Sequence, residues 1–148
     1  MAKRLLSLQK PGKIINVCSV TSFIGMYNVS SYAASKGGVL QMTKAFSNEL
    51  AESGIQVNCI FPGYDSSVPA SFRCCISRLT IGFRYITTPL TAAIREDKEY
   101  EALVLARTPA KRWGTPQDLR GAVLFLAGRA SDFVSGSAIV VDGGMLGK

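Results

Sequence analysis

Histidine is absent from the 148 residues. That removes the commonest metal ligand and the usual neutral-pH proton carrier. Any acid–base chemistry here falls to Tyr, Lys, Cys or a carboxylate, and no metal site is expected. No C-x-x-C pair occurs among the four cysteines, Cys18, Cys59, Cys74 and Cys75, and zinc spacing is missing too. Long apolar runs are also lacking, since nothing approaches the roughly 18 residues of a membrane span. The opening MAKRLLSLQKPGK has too short an apolar stretch for a signal peptide. A reduced, cytoplasmic setting is the expectation.

Acidic residues are the scarcer charge, 10 against 17 basic. Lys3, Arg4, Lys10 and Lys13 crowd the start, and Arg73, Arg78 and Arg84 fall in one odd segment. Nucleic-acid surfaces interleave basic and aromatic residues along one element. That pattern is missing, so no nucleic-acid partner and no membrane partner is expected. What is present is apolar material, 47% of residues, enough to form a core at single-domain length.

Residues 1–9 read as a helix tail, stopped before Pro11-Gly12. Lys13 to Ser19 reads as a β-branched strand, followed by a polar loop from Val20 to Ser30. Residues 31–53 read as a helix with Val39, Phe46 and Leu50 on its apolar stripe and Gly54 as its stop. Ile55 to Ile60 reads as a second strand, ended by Phe61-Pro62-Gly63. Helical material spans 89–106. Thr115-Pro116-Gln117-Asp118 then opens a helix with Leu119, Val123 and Leu126 on its stripe. Ala138 to Val141 is a third strand. Strands separated by helices predict an α/β fold with a parallel sheet. Residues 65–85 carry neither period, and such a long irregular loop is unusual in a compact domain.

Tyr32-Ala33-Ala34-Ser35-Lys36 places a phenol and an ammonium one helical turn apart. A free tyrosine ionises near pH 10, too high for a base at neutrality. A cation within about 4–6 Å lowers an acid's pKa by about 1–3 units, which can make a phenolate base. Alone, the spacing is equally that of an ordinary surface pair. Ser19, at the C-terminal tip of a strand, faces the crevice where open α/β sheets bind ligands, and Pro62-Gly63 turns at the same edge.

GKIINVCS, SYAASKGG, IQVNCIFPG and FVSGSAIVVDGG together resemble the short-chain dehydrogenase/reductase family, over residues 1–64 and 86–148. The run TTPLTAAIREDKEYEALVLARTPAKRWGTPQDL is similar to sugar-acid members of the 2-deoxygluconate 3-dehydrogenase and gluconate 5-dehydrogenase types. The resemblance implies hydride transfer between NAD or NADP and a secondary alcohol or ketone of a small sugar acid or polyol. It implies that Ser19 bonds the substrate oxygen and that Tyr32 is the general acid/base. Lys36 would hold the nicotinamide ribose and tune the tyrosine. Pro62, Gly63, Ile86 and Thr88 would line the nicotinamide. It further implies a homo-oligomer.

Two departures from the family shape the expectations. No strand followed by T-G-x-x-x-G-x-G precedes residue 13, so no Gly-rich turn to hold a pyrophosphate is present. The chain is therefore expected to form the C-terminal half of a Rossmann-like doubly wound sheet, about three parallel strands with flanking helices. Residues 65–85 interrupt this partial domain, either as a lid insertion or as a translated intron. Skipping them restores P-G-Y-I-T-T-P-L and brings Thr88 into the family's threonine position. A non-catalytic fragment that pairs with full-length homologues is the alternative reading.

Overall fold

A computed structural model describes residues 1–26, 29–63 and 98–147, with the side chain of Tyr100 left aside. The irregular segment 65–85 and the positions Ile86 and Thr88 lie outside the described residues.

Helix α1 (Ala2–Ser7) leads into strand β1 (Gly12–Val17) and a 3-10 turn (Val20–Ser22). Helix α2 (Ser30–Leu50) follows, then a 3-10 turn (Ala51–Ser53) and strand β2 (Ile55–Pro62). Helices α3 (Lys98–Arg107) and α4 (Pro116–Ala127) precede strand β3 (Ala138–Val141). The three strands form one parallel sheet in the order β1-β2-β3. Gly12 pairs with Ile55 and Val17 with Ile60, while Cys59 pairs with Ala138 and Pro62 with Val141.

Alternation along the strands builds two layers of core. On one face Ile14, Ile55 and Val57 meet Leu50 of α2, with Ala2 and Leu5 of α1 against them. Farther along, Cys18, Cys59 and Phe61 meet Leu40 of α2. On the opposite face Ile15 and Ile60 meet Leu126 of α4. β2 is buried along nearly its whole length, as a central parallel strand covered on both faces must be. The sequence-level stripe of α4 holds, with Leu119 and Leu126 buried and Val123 against the core.

The stripe expected on α2 holds at Leu50, which is buried, and at Val39, which packs against the core, but fails at Phe46. Phe46 is exposed, and the helix also buries Lys36, Leu40, Thr43 and Ser47. Partners from the sheet explain the exchange. The Asn16 amide donates to Thr43 Oγ1 at 2.8 Å, and Thr43 donates to the Val39 carbonyl at 2.8 Å. A side chain at Gly136 would come within 2.7 Å of Ser47 Oγ, so only a small residue fits under that glycine. Polar groups can be buried when bonded this way. The helix itself is α-helical to Leu50 and tightens to 3-10 before Gly54, whose φ of +68° suits glycine and ends the element as the sequence predicts.

Thr115 and Asp118 open α4 with a capping box, and Pro116 starts the helix. The Asp118 carboxylate accepts from the Thr115 N–H at 2.7 Å and from the two terminal Arg112 guanidinium nitrogens at 2.8 Å each. Arg112 first, then the Thr115 bonds, hold the Asp118 carboxyl well below the usual carboxylate range. A carboxyl lowered on folding stabilises fully above its unfolded pKa of about 4 and loses that contribution as the pH falls towards the folded value. Asp118→Asn should therefore lower the thermal midpoint at neutral pH. Its deficit against the parent chain should shrink as the pH drops below about 4, measured by melting across an acid series.

Candidate active site

The C-terminal ends of β1 and β2 carry the residues that the sequence singles out. Ser19 follows β1 by two residues and caps the Val20–Ser22 turn, accepting from the Thr21 N–H at 3.3 Å while its own N–H donates to Ser22 Oγ at 3.4 Å. The hydroxyl accepts in this cap, and its own proton remains available to a ligand. Phe23, just beyond the turn, stacks on Phe61 of β2 with ring centroids 4.6 Å apart, which ties the Ser19 turn to the sheet.

Tyr32 and Lys36 sit one turn apart in the first half of α2. Lys36 is 8% exposed, and its ammonium lies 5.8 Å from the centre of the Tyr32 ring. Lys36 Nζ donates to the Val17 carbonyl at 2.8 Å. Cys18 N–H bonds the Ile60 carbonyl, so by the parallel ladder Val17 turns its own carbonyl away from β2. That free carbonyl is what receives the lysine. The structure thus seats Lys36 at the end of β1, next to the strand residue that precedes Cys18 and Ser19.

Lys36 is the one charged side chain buried among the described residues. Burial pushes its amine below the usual lysine range, and the neighbouring Cys18 pushes it back up. Cys18 is itself held below the usual thiol range. A hydrogen bond with Cys59 is the main cause, with Lys36 and the Ser22 hydroxyl adding to it against burial. Cys59 is driven in the opposite direction, chiefly by Cys18 and by burial. Neither cysteine stands out in the sequence beyond being small and apolar-flanked. The one available signal is that Cys18 directly precedes Ser19.

Pro62 and Gly63 end β2 where expected, but on another wall. They line a cavity of about 190 Å³ with Val104, Thr108, Trp113 and Asp142 between the ends of β2, β3, α3 and α4. Ser19, Tyr32 and Lys36 do not line it. Gly63 is required by close approach: a Cβ there would lie 2.6 Å from Asp142 Cα. Asp142 cannot retreat easily, because its carboxylate accepts from the Gly144 and Leu146 N–H groups at 2.8 Å each. Gly63→Ala should lower the unfolding free energy by about 1–3 kcal/mol. Gly121→Ala, on open helix surface, should raise it by about 0.5–1 kcal/mol. Urea unfolding of both variants checks the pair.

A nicotinamide coenzyme can be tested against these residues. An ammonium has three donors, and the Val17 carbonyl takes one, so Lys36 keeps donors for a pair of ribose hydroxyls. The nicotinamide end therefore fits. No Gly-rich turn in the chain offers the backbone N–H groups that a pyrophosphate wants. Among the described residues no group of three or more Cys, Asp or Glu could hold a metal ion, and no helix is long and apolar enough to cross a membrane.

The same organisation recurs in known proteins. The 5-keto-D-gluconate 5-reductase of Escherichia coli (strain K12) is 44% identical over 138 residues, which are 93% of this chain and 46% of that protein. The 2-dehydro-3-deoxy-D-gluconate 5-dehydrogenase of Bacillus subtilis (strain 168) is 42% identical over all of this chain and 50% of its own length. Among solved structures, a gluconate 5-dehydrogenase from Burkholderia cenocepacia J2315, in complex with NADP and tartrate, is 36% identical. It superposes with a TM-score of 0.81 over 99% of this chain and 49% of its own. The chain spans about half the length of these relatives. Family models place the two sides of the irregular segment separately, as short chain dehydrogenase over residues 1–70 and as Enoyl-(Acyl carrier protein) reductase over residues 80–146. A parallel Rossmann-like sheet whose first described strand ends beside a buried Y-x-x-x-K lysine accords with both matches, and the chain belongs to the short-chain dehydrogenase family.

Proposed function

We propose that this chain supplies the catalytic half of an NAD(P)-dependent oxidoreductase that interconverts a secondary alcohol and a ketone on a gluconate-type sugar acid. The observation that carries the reading is Lys36, a buried ammonium held at the end of β1 and over the Tyr32 ring. The names of the relatives, acting on keto- and deoxygluconates, support the substrate class. When bound, the coenzyme supplies the hydride acceptor or donor.

Each protein group then has one task. Tyr32 exchanges the proton of the substrate hydroxyl at its phenolic oxygen. Lys36 favours the phenolate by charge and orients the ribose with its remaining donors. Ser19 donates its hydroxyl proton to the substrate oxygen as charge develops there. Pro62 and Gly63, with Ile86 and Thr88 from the segment beyond them, are assigned to the wall against the nicotinamide. The setting is cytoplasmic, in keeping with the free buried thiols Cys18 and Cys59.

A second reading rests on β1. It stands at the edge of the described sheet, with the N–H and C=O groups of Lys13, Ile15 and Val17 turned away from β2. Such an apolar edge seeks another strand. In the larger doubly wound sheet, of which these strands are the C-terminal half, that strand lies beside β1. Residues 1–148 then form a partial domain broken at 65–85, and a full-length homologue or a second copy is the partner of the whole assembly.

Nicotinamide fluorescence separates the readings. NADH and NADPH are titrated against the full chain, with 5-keto-D-gluconate added to follow turnover. Micromolar binding with turnover supports the catalytic reading. No binding, with a homologue co-purifying, supports the pairing reading and overturns the first.

A further inference from the structure

Arg112 has capacity beyond its pairing with Asp118. A guanidinium carries five N–H donors in one plane. Nη1 donates to the Trp113 carbonyl at 3.0 Å and to Asp118 Oδ2 at 2.8 Å. Nη2 donates to Asp118 Oδ1 at 2.8 Å. The Nε hydrogen and the second Nη2 hydrogen have no partner among the described residues. Both leave the same edge of the plane, as a parallel fork that matches the two oxygens of a carboxylate. Asp118, at the other edge, fixes the plane and leaves this fork open.

The fork belongs to the cavity beyond Pro62 and Gly63. Arg112 lines that cavity together with both residues that hold it, Trp113 and Asp118, so its head group is part of the wall. The rest of the lining suits a polyol. Each oxygen of the Asp142 carboxylate accepts one backbone N–H, from Gly144 or Leu146, and keeps lone pairs for a hydroxyl. Its charge repels another anion, so a ligand with one carboxylate and several hydroxyls fits in one direction, acid end at Arg112. Trp113 is held in place by its Nε1, which donates to Glu101 Oε1 at 2.9 Å, and its ring joins Val104 in an apolar wall for a carbon chain.

We propose that Arg112 anchors the carboxylate of the sugar-acid substrate, and that this cavity receives the acid end of the chain. The identity of the acid rests on the proposed oxidoreductase reading, whereas the open fork does not. In that reaction the carbon that changes oxidation state lies inside the chain, away from the carboxylate. Its anchor must therefore stand apart from Ser19 and Tyr32. The cavity meets this demand, because those residues do not line it while Pro62 and Gly63, assigned to the nicotinamide wall, do. The anchor also gives selectivity, since a neutral polyol of the same length gains no charge-assisted pair.

Calorimetry on the full chain, without coenzyme, tests the anchor with D-gluconate against D-sorbitol, which has six carbons too and no carboxylate. The parent should bind gluconate at least about tenfold more tightly than sorbitol. Arg112→Lys keeps a charge for Asp118 but offers no second fork. It should bind gluconate about ten- to a hundredfold more weakly and sorbitol as the parent does. A second measurement needs no variant. Phenylglyoxal modifies arginine side chains, and mass spectrometry reads each site. Gluconate should slow modification of Arg112 severalfold and leave that of Arg129, 99% exposed, unchanged, while sorbitol should slow neither. Gluconate bound equally by the parent and Arg112→Lys overturns the anchor, as does Arg112 modified at one rate with and without gluconate. The labelling arm decides the matter if Arg112→Lys fails to fold. No turnover of 5-keto-D-gluconate, with Arg112 still protected by gluconate, would overturn the oxidoreductase reading and leave the acid site standing. Turnover with a KM unchanged in Arg112→Lys would do the reverse.

Discussion

Replacing Tyr32 with phenylalanine should cut turnover by about a hundred- to ten-thousand-fold, the range for removing a positioned acid–base group. Tyr32 meets Lys36 through its ring, 5.8 Å from the ammonium to the ring centre, and phenylalanine keeps that ring. The Lys36 bond to the Val17 carbonyl does not involve the phenol and should survive. Coenzyme affinity and the folded state should therefore persist while kcat collapses. Steady-state kinetics with a parallel melt measure both. Turnover retained within about threefold would remove Tyr32 from proton transfer and with it the catalytic assignment.

Asn58→Ala should be the most damaging single change to stability, about 2–5 kcal/mol. Asn58 is 1% exposed in the centre of β2. Its amide donates to the Val134 carbonyl at 2.8 Å, and its carbonyl oxygen accepts from the Ser137 N–H at 3.0 Å. Alanine would orphan both backbone groups inside the fold, at about 1–3 kcal/mol each. Those two bonds hold the loop that delivers β3 to β2, so their loss also loosens the Cys59 to Pro62 register on which the end of the sheet depends. A typical domain has about 5–15 kcal/mol in total, so the variant should unfold at a much lower urea midpoint, or not accumulate folded at all. Ser137→Ala, which keeps the backbone N–H, should cost far less in the same assay.

Local features of this chain were legible from order alone. The Thr115-Pro116-Gln117-Asp118 cap, the Gly54 stop and the Tyr32–Lys36 spacing each depend on residues within a few positions, and the structure keeps all three. The three strands were legible as short apolar and β-branched runs, most fully at β2, which is buried along nearly its whole length. The family followed from those motifs together, since each is weak singly.

Non-local features were not legible. The apolar stripe of α2 was misplaced at Phe46 because hydrophobicity alone cannot foresee that Asn16, 27 residues away, supplies Thr43 with a bond and makes a polar face buryable. Gly63 reads as a plain turn residue until Asp142 is brought 2.6 Å from where its side chain would be. Cys18 and Cys59 read as inert small residues, yet the fold packs both with Phe61 against Leu40 of α2. By itself, then, the sequence determined the helices, the strands and the chemistry-bearing pair, all of which rest on short-range periodicity and capping. Tertiary structure alone decided the surroundings of Lys36, because its burial and its bond to the Val17 carbonyl come from packing α2 onto β1.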